Sequence, residues 1–299
     1  IDMPGMSGLT ALPIILGKAQ GARVLILSAN CAAGGPAAVE ALAHGAADTM
    51  LKPGRGAFAG TFGKTLVERL HALSDEEATI ARVPQASVSN AQQQSNILPH
   101  HACGISAIGI GASTGGIMAI NAFLGALPPE IDCPIFITQH LPSGFMPFFA
   151  EQLHRLVARP VCVVDDGMPV AHGTIYLASG EGHIALAHNA GRTRIMIDRS
   201  ASASGATPSV DPMLVTMAAV YGRRACGVML SGMGRDGLDG ARSLRAAGGL
   251  ILAQDMESCV VWGMPGAVVR EGLADSVQNP ISLAKIAIAA YRNSATEAA

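Results

Sequence analysis

An α/β fold built on a doubly wound, mostly parallel sheet is predicted by three features of this 299-residue chain. Short apolar runs alternate with segments of helical length and period. Hydrophobic residues make up 49% and aromatics only 4%, with 35 glycines beside them. Ala, Val, Ile, Leu and Met fill buried parallel strands and the helices covering them more readily than they build an aromatic-rich β-sandwich. At roughly 100 to 200 residues per domain, the length suits one large or two modest units.

Taken in order, residues 1–73 read as loop, helix, strand, loop, helix and short strand. The continuous apolar run from Arg23 to Leu27 predicts a buried strand, and Ala37 to Gly45 an Ala-rich helix closed by glycine. From residue 74 to 104 the character changes. Ala86 to Asn96 is polar and nearly uncharged, with Pro84 and Pro99 on either side, which predicts a flexible linker. A second block spans 105–293, followed by a short tail, 294–299. Strands are expected over 105–110, 134–138, 161–164, 225–230 and 249–253, and helices over 117–124, 145–156, 212–221 and 237–247. Alternation of this kind implies right-handed crossovers. The runs 173–178, 184–187 and 192–197 are separated by links too short for a helix, so they predict an antiparallel hairpin at one sheet edge.

Composition excludes several functions. Twenty basic residues against twenty-two acidic ones, net charge -2, form no long run, so the basic footprint of a nucleic-acid binder is missing. No apolar stretch approaches the ~18 residues of a membrane span. The six cysteines (Cys31, Cys103, Cys133, Cys162, Cys226, Cys259) lack C-x-x-C pairs, and read as core residues in a reducing cytoplasm rather than a zinc site or a secreted scaffold.

Open α/β sheets bind ligands beyond the carboxyl ends of their strands, which singles out three turns. In Gly111-Ala-Ser-Thr-Gly-Gly116, Ser113 sits between a strand and a helix, where its hydroxyl can be exposed next to helix N–H donors. The competing readings are a helix N-cap and the start of a dinucleotide fingerprint at Gly109-Ile-Gly111, whose third glycine arrives one residue late. His140 is the one histidine that ends a central strand, placed to serve a neighbouring hydroxyl as base. In Ser231-Gly-Met-Gly-Arg-Asp-Gly237, Asp236 can hold an imidazole in one tautomer or cap the next helix; Asp211 and Asp255 are rival acids. Together the three turns place nucleophile, base and acid at one edge of one sheet, in the chain order Ser, His, Asp.

These residues resemble the chemotaxis protein-glutamate methylesterases, the CheB family. The resemblance covers Ile105 to Arg292 through the two turns just quoted, Thr138-Gln-His-Leu-Pro-Ser-Gly-Phe145, Asp166-Gly167 with Gly173-Thr-Ile-Tyr-Leu-Ala178, and Pro208-Ser-Val-Asp-Pro212. It implies Ser113 as nucleophile, His140 as base, Asp236 as orienting acid, the Met233 backbone N–H as oxyanion donor and Thr114 as a positioning residue. It further implies hydrolysis of γ-glutamyl methyl esters on the cytoplasmic helices of chemoreceptors, deamidation of receptor glutamines, a cytoplasmic location, and chemistry that needs no metal or organic cofactor. A non-catalytic signalling module that only binds receptors or a partner methyltransferase is the alternative, disfavoured because all three triad positions are filled.

Residues 1–73 resemble the latter half of a flavodoxin-like response-regulator receiver. Asp2-Met-Pro-Gly-Met-Ser-Gly-Leu9 is similar to the loop after the phosphoacceptor strand, Ser28 to the strand-end Ser or Thr, and Lys52-Pro53 to the phosphate-sensing Lys-Pro. In that pattern the phosphoacceptor lies two residues before Asp2 and so precedes Ile1. The expectations are a partial receiver with an exposed sheet edge, no phosphate uptake on this chain, and a contact with a chemotaxis histidine kinase put in doubt. In the family the receiver covers the catalytic face.

Overall fold

The computed structural model describes residues 1, 3, 5–18, 21–28, 35–53, 61–74 and 104–297. Asp2 and nearly all of the predicted linker lie outside the described residues.

The N-terminal segment forms α1 (Gly8–Lys18), β1 (Leu25–Ser28), α2 (Pro36–Ala43), β2 (Asp48–Leu51) and α3 (Thr61–Ser74). The helix α3 was not anticipated. Strands β1 and β2 pair in parallel as a two-stranded sheet. Leu27 and Leu51 are exposed on it, so the run expected to be buried is only partly covered. Leu12, Val39 and Leu42 turn the other way and join one continuous core with the second block.

That block runs β3 (Ala107–Ala112), α4 (Gly116–Gly125), β4 (Ile135–Gln139), α5 (Met146–Leu156), β5 (Val161–Val163), β6 (Ile175–Leu177), β7 (His183–Asn189), β8 (Arg192–Asp198), α6 (Val210–Tyr221), β9 (Ala225–Met229), α7 (Leu238–Ala246), β10 (Leu250–Gln254), α8 (Met264–Arg270), β11 (Ser276–Gln278) and α9 (Pro280–Glu297). Seven strands make a wholly parallel sheet in the order β11-β10-β9-β3-β4-β6-β5. From β3 the chain winds first toward β4 and later, through β9, to the other side. The reversal puts the switch point at the carboxyl end of β3, where such sheets bind ligands. Helices cover both faces, which is why the central strands are continuously apolar: Ile108 and Ile110 face one core, while Ala107 on β3 and Phe136 on β4 face the other.

Glycines in β3 serve this packing. A side chain at Gly111 would sit 2.5 Å from Val210 Cγ1, and one at Gly109 2.5 Å from Met217 Sδ, both on α6. The Gly109-Ile-Gly111 pair that resembled a dinucleotide fingerprint therefore allows α6 to approach the sheet.

Two expectations need correction. Only β7 and β8 form the antiparallel hairpin, as a separate two-stranded sheet packed on α6, while the predicted first member of that group, β6, lies parallel between β4 and β5. Residues 164–174 return the chain without a helix, and in sequence a helix-free link looks like the turn of an antiparallel pair. In addition, α9 runs to Glu297, past the predicted start of the tail.

Candidate active site

Each functional side chain is delivered by the end of a central strand. Strand β3 stops at Ala112, and the turn Ser113 to Gly115 leads into α4; Gly115 has φ 76°, and a side chain there would meet Val260 at 2.4 Å, so only glycine fits. The turn is tied down on three sides. Ser113 N–H donates to the Ser231 carbonyl at 2.9 Å. Gln139 Nε2 donates to the Ser113 carbonyl at 2.8 Å, and Ser231 Oγ to the Thr114 carbonyl at 2.7 Å. Strand β4 delivers His140, whose N–H donates to the Ala112 carbonyl at 3.0 Å. The turn after β9 delivers Met233 and Asp236.

His140 Nε2 lies 2.7 Å from Asp236 Oδ2. Asp236 also accepts the Val210 N–H at 2.7 Å and, on Oδ1, the Ser209 hydroxyl at 2.6 Å. Burial by itself favours the neutral carboxyl, but the donors from His140, Ser209 and Val210 outweigh it and hold the Asp236 pKa down at about 2. An ionised Asp236 fixes the proton of His140 on Nε2 and leaves Nδ1 as an acceptor. Ser113, Thr114, Gln139, His140 and Met233 line one cleft. Among the described residues, the backbone N–H groups of Thr114 and Met233 have no carbonyl partner, so two donors are available near Ser113 for a developing negative charge. The arrangement can run nucleophilic acyl transfer.

The opposite wall of the cleft belongs to the N-terminal segment. Ala47, Asp48, Arg69 and Leu73 line it, and the Ala47 carbonyl accepts the Gly115 N–H at 3.1 Å. Arg69 pairs with Asp48, whose pKa is nonetheless raised because burial outweighs the guanidinium.

Of the other sequence-predicted residues, Ser28 is buried at the end of β1 and Lys52 is exposed just after β2; they meet through Lys52 N–H and the Ser28 carbonyl at 3.0 Å. Neither lines the cleft, and Asp2 lies outside the described residues. The rival acids do not bond His140: Asp211 accepts the Gly240 N–H at 2.7 Å, and Asp255 accepts Ser258 within its own loop. Asp236 does not cap α7, whose N-cap is Gly237; it takes the first N–H of α6 instead. Sequence reasoning missed Ser209, Gln139 and Ser231. Among the described residues no three His, Cys, Asp or Glu are grouped to hold a metal ion.

The sequence model of the CheB methylesterase family matches residues 108–287. A protein-glutamate methylesterase/protein-glutamine glutaminase from Caulobacter vibrioides is 37% identical over 280 residues, covering 93% of this chain and 80% of the relative. One of the same name from Thermotoga maritima is 33% identical over 281 residues, covering 93% and 79%. The crystal structure of the Thermotoga maritima CheB methylesterase catalytic domain superposes with a TM-score of 0.60 at 34% identity, covering 62% of this chain and 97% of that one.

Proposed function

This chain belongs to the CheB methylesterase family, and from that membership and the site geometry we propose that it hydrolyses γ-glutamyl methyl esters on chemoreceptors, and deamidates receptor glutamines, with Ser113 as the nucleophile. The observation that carries the assignment of roles is the 2.7 Å bond from a buried, ionised Asp236 to Nε2 of His140, which shares its cleft with Ser113.

In the reaction, Ser113 Oγ attacks the ester carbonyl while His140 Nδ1 takes its proton. Asp236 stabilises the imidazolium so formed. The N–H groups of Thr114 and Met233 hold the tetrahedral oxyanion. Its collapse expels methanol, which receives the proton from His140. Water, activated by the same nitrogen, then attacks the acyl-enzyme and releases glutamate. A glutamine side chain follows the same course with ammonia as leaving group. The enzyme's place is the cytoplasm, where receptor signalling helices lie; no described helix is long and apolar enough to cross a membrane.

Residues 105–293 form the catalytic unit in this reading, and residues 1–73 a receiver-type regulatory unit. The Ala47 to Gly115 bond and the Asp48–Arg69 wall support a covering role, since they belong to the same cleft that Ser113 and His140 line. The deciding experiment is methanol release from methylated receptor together with fluorophosphonate labelling. Label on Ser113 and loss of both signals in Ser113→Ala support the reading; unlabelled protein that still releases methanol, or labelled protein that never does, overturns it.

A further inference from the structure

We infer that Ser209 and His183 are positioning residues for the reaction at Ser113, acting through Asp236. The inference rests on Asp236 being the acid that orients His140. Ser209 stands at the N-cap position of α6 but makes no capping bond with its side chain. Its hydroxyl donates to Asp236 Oδ1 at 2.6 Å, leaving Oδ2 to face His140 and the Val210 N–H. A carboxylate bound on both oxygens cannot swing away from the imidazole.

Ser209 is itself fixed. Its N–H donates to His183 Nδ1 at 2.8 Å, so that nitrogen carries no proton. The proton is then on Nε2, which donates to the Ser200 carbonyl at 2.9 Å. Both ring nitrogens are occupied, and Ser209 and His183 are 0% and 1% exposed. The connection runs without a free rotor from the carbonyl at Ser200, through the His183 ring and Ser209, to Asp236 and His140. Neither Ser209 nor His183 lines the cleft. Their effect therefore falls on the orientation of the base as it charges, and so on kcat, rather than on substrate binding.

The test uses the full chain with methylated receptor, comparing Ser209→Ala, His183→Leu, His183→Asn, Asp236→Asn, Ser113→Ala and the double variant S209A/D236N. Ser209→Ala and His183→Leu are expected to lower kcat roughly ten- to a hundredfold with KM within about twofold. His183→Asn, whose Oδ1 can accept the Ser209 N–H, recovers most of that loss. Adding Ser209→Ala to Asp236→Asn lowers kcat no further, because the serine acts only through the carboxylate. The downfield proton resonance of the His140–Asp236 bond shifts or disappears in Ser209→Ala. Full kcat in Ser209→Ala and His183→Leu, with Ser113→Ala inactive and Asp236→Asn lowered but measurable, overturns the positioning role and leaves the triad standing. Full kcat in Asp236→Asn overturns both. An equal loss from Ser209→Ala in the wild-type and Asp236→Asn backgrounds marks a merely structural role, and this comparison remains decisive if His183→Leu does not fold.

Discussion

The amide of Gly115, two residues past Ser113, donates to the carbonyl of Ala47 at 3.1 Å. The chain's own N-terminal segment thus satisfies a donor at the mouth of the site, and Leu42, buried between α2 and the second block, anchors that segment. Leu42→Asp would bury an unpaired charge there and detach the segment. The expected outcome is a several-fold rise in kcat/KM for methylated receptor; a fall, or no change, contradicts the covering role.

The oxyanion assignment at Met233 concerns its backbone, whereas the residue as a whole is 48% exposed. Met233→Ala should therefore leave kcat within a few-fold of wild type, while Met233→Pro, which removes the N–H, should lower it about 100- to 1,000-fold. Equal activities in the two variants, measured by methanol release, would place the donor elsewhere.

Packing of α6 on β3 also governs the site, because α6 begins with the N–H that Asp236 accepts. Gly111→Ala places a methyl against the stiff, branched Val210, and Gly109→Ala one against the flexible end of Met217. Both overpack, but Gly111→Ala should cost more, about 2 kcal/mol by urea unfolding, and should also lower kcat. A larger cost for Gly109→Ala would contradict this ranking.

Asp211 supplies a pH prediction. Burial, with Asp236 and Asp239 nearby, raises its pKa from 3.8 to about 6 despite the bond from Gly240. A carboxyl whose folded pKa is raised holds its proton more tightly in the folded state, so its contribution is fully present below pH 3.8 and is lost as pH rises through about 6. Asp211→Asn keeps an oxygen for the Gly240 N–H and removes the charge. Allowing for solvent screening at a partly exposed group, it should stabilise the protein by about 1 kcal/mol at pH 7.5 and by nothing near pH 3.5. Denaturant midpoints at the two pH values check both the sign and the window.

The strand ends carrying Ser113, His140 and Asp236 were legible in sequence because a parallel sheet collects its chemistry at one edge, and apolar runs bounded by Gly-rich turns mark that edge. The placement of β6 was not, since a helix-free return gives no signal of parallel pairing. Ser209 reads locally as an ordinary N-cap before a helix; only the tertiary fold, bringing the turn after β9 beside it, redirects its hydroxyl to Asp236. The two glycines of β3 suggested a nucleotide and instead admit a helix, because local sequence shows that a side chain is missing but not what fills the space. The N-terminal wall of the cleft depends on contacts between segments far apart in the chain, beyond the reach of local pattern.

The central claim is that Ser113 attacks with His140 as its base, and methanol release from methylated receptor by Ser113→Ala and His140→Ala tests it most directly. Each variant should melt as wild type does and lose at least about 10,000-fold in kcat. Folded variants of either kind that retain a tenth of wild-type activity would contradict it.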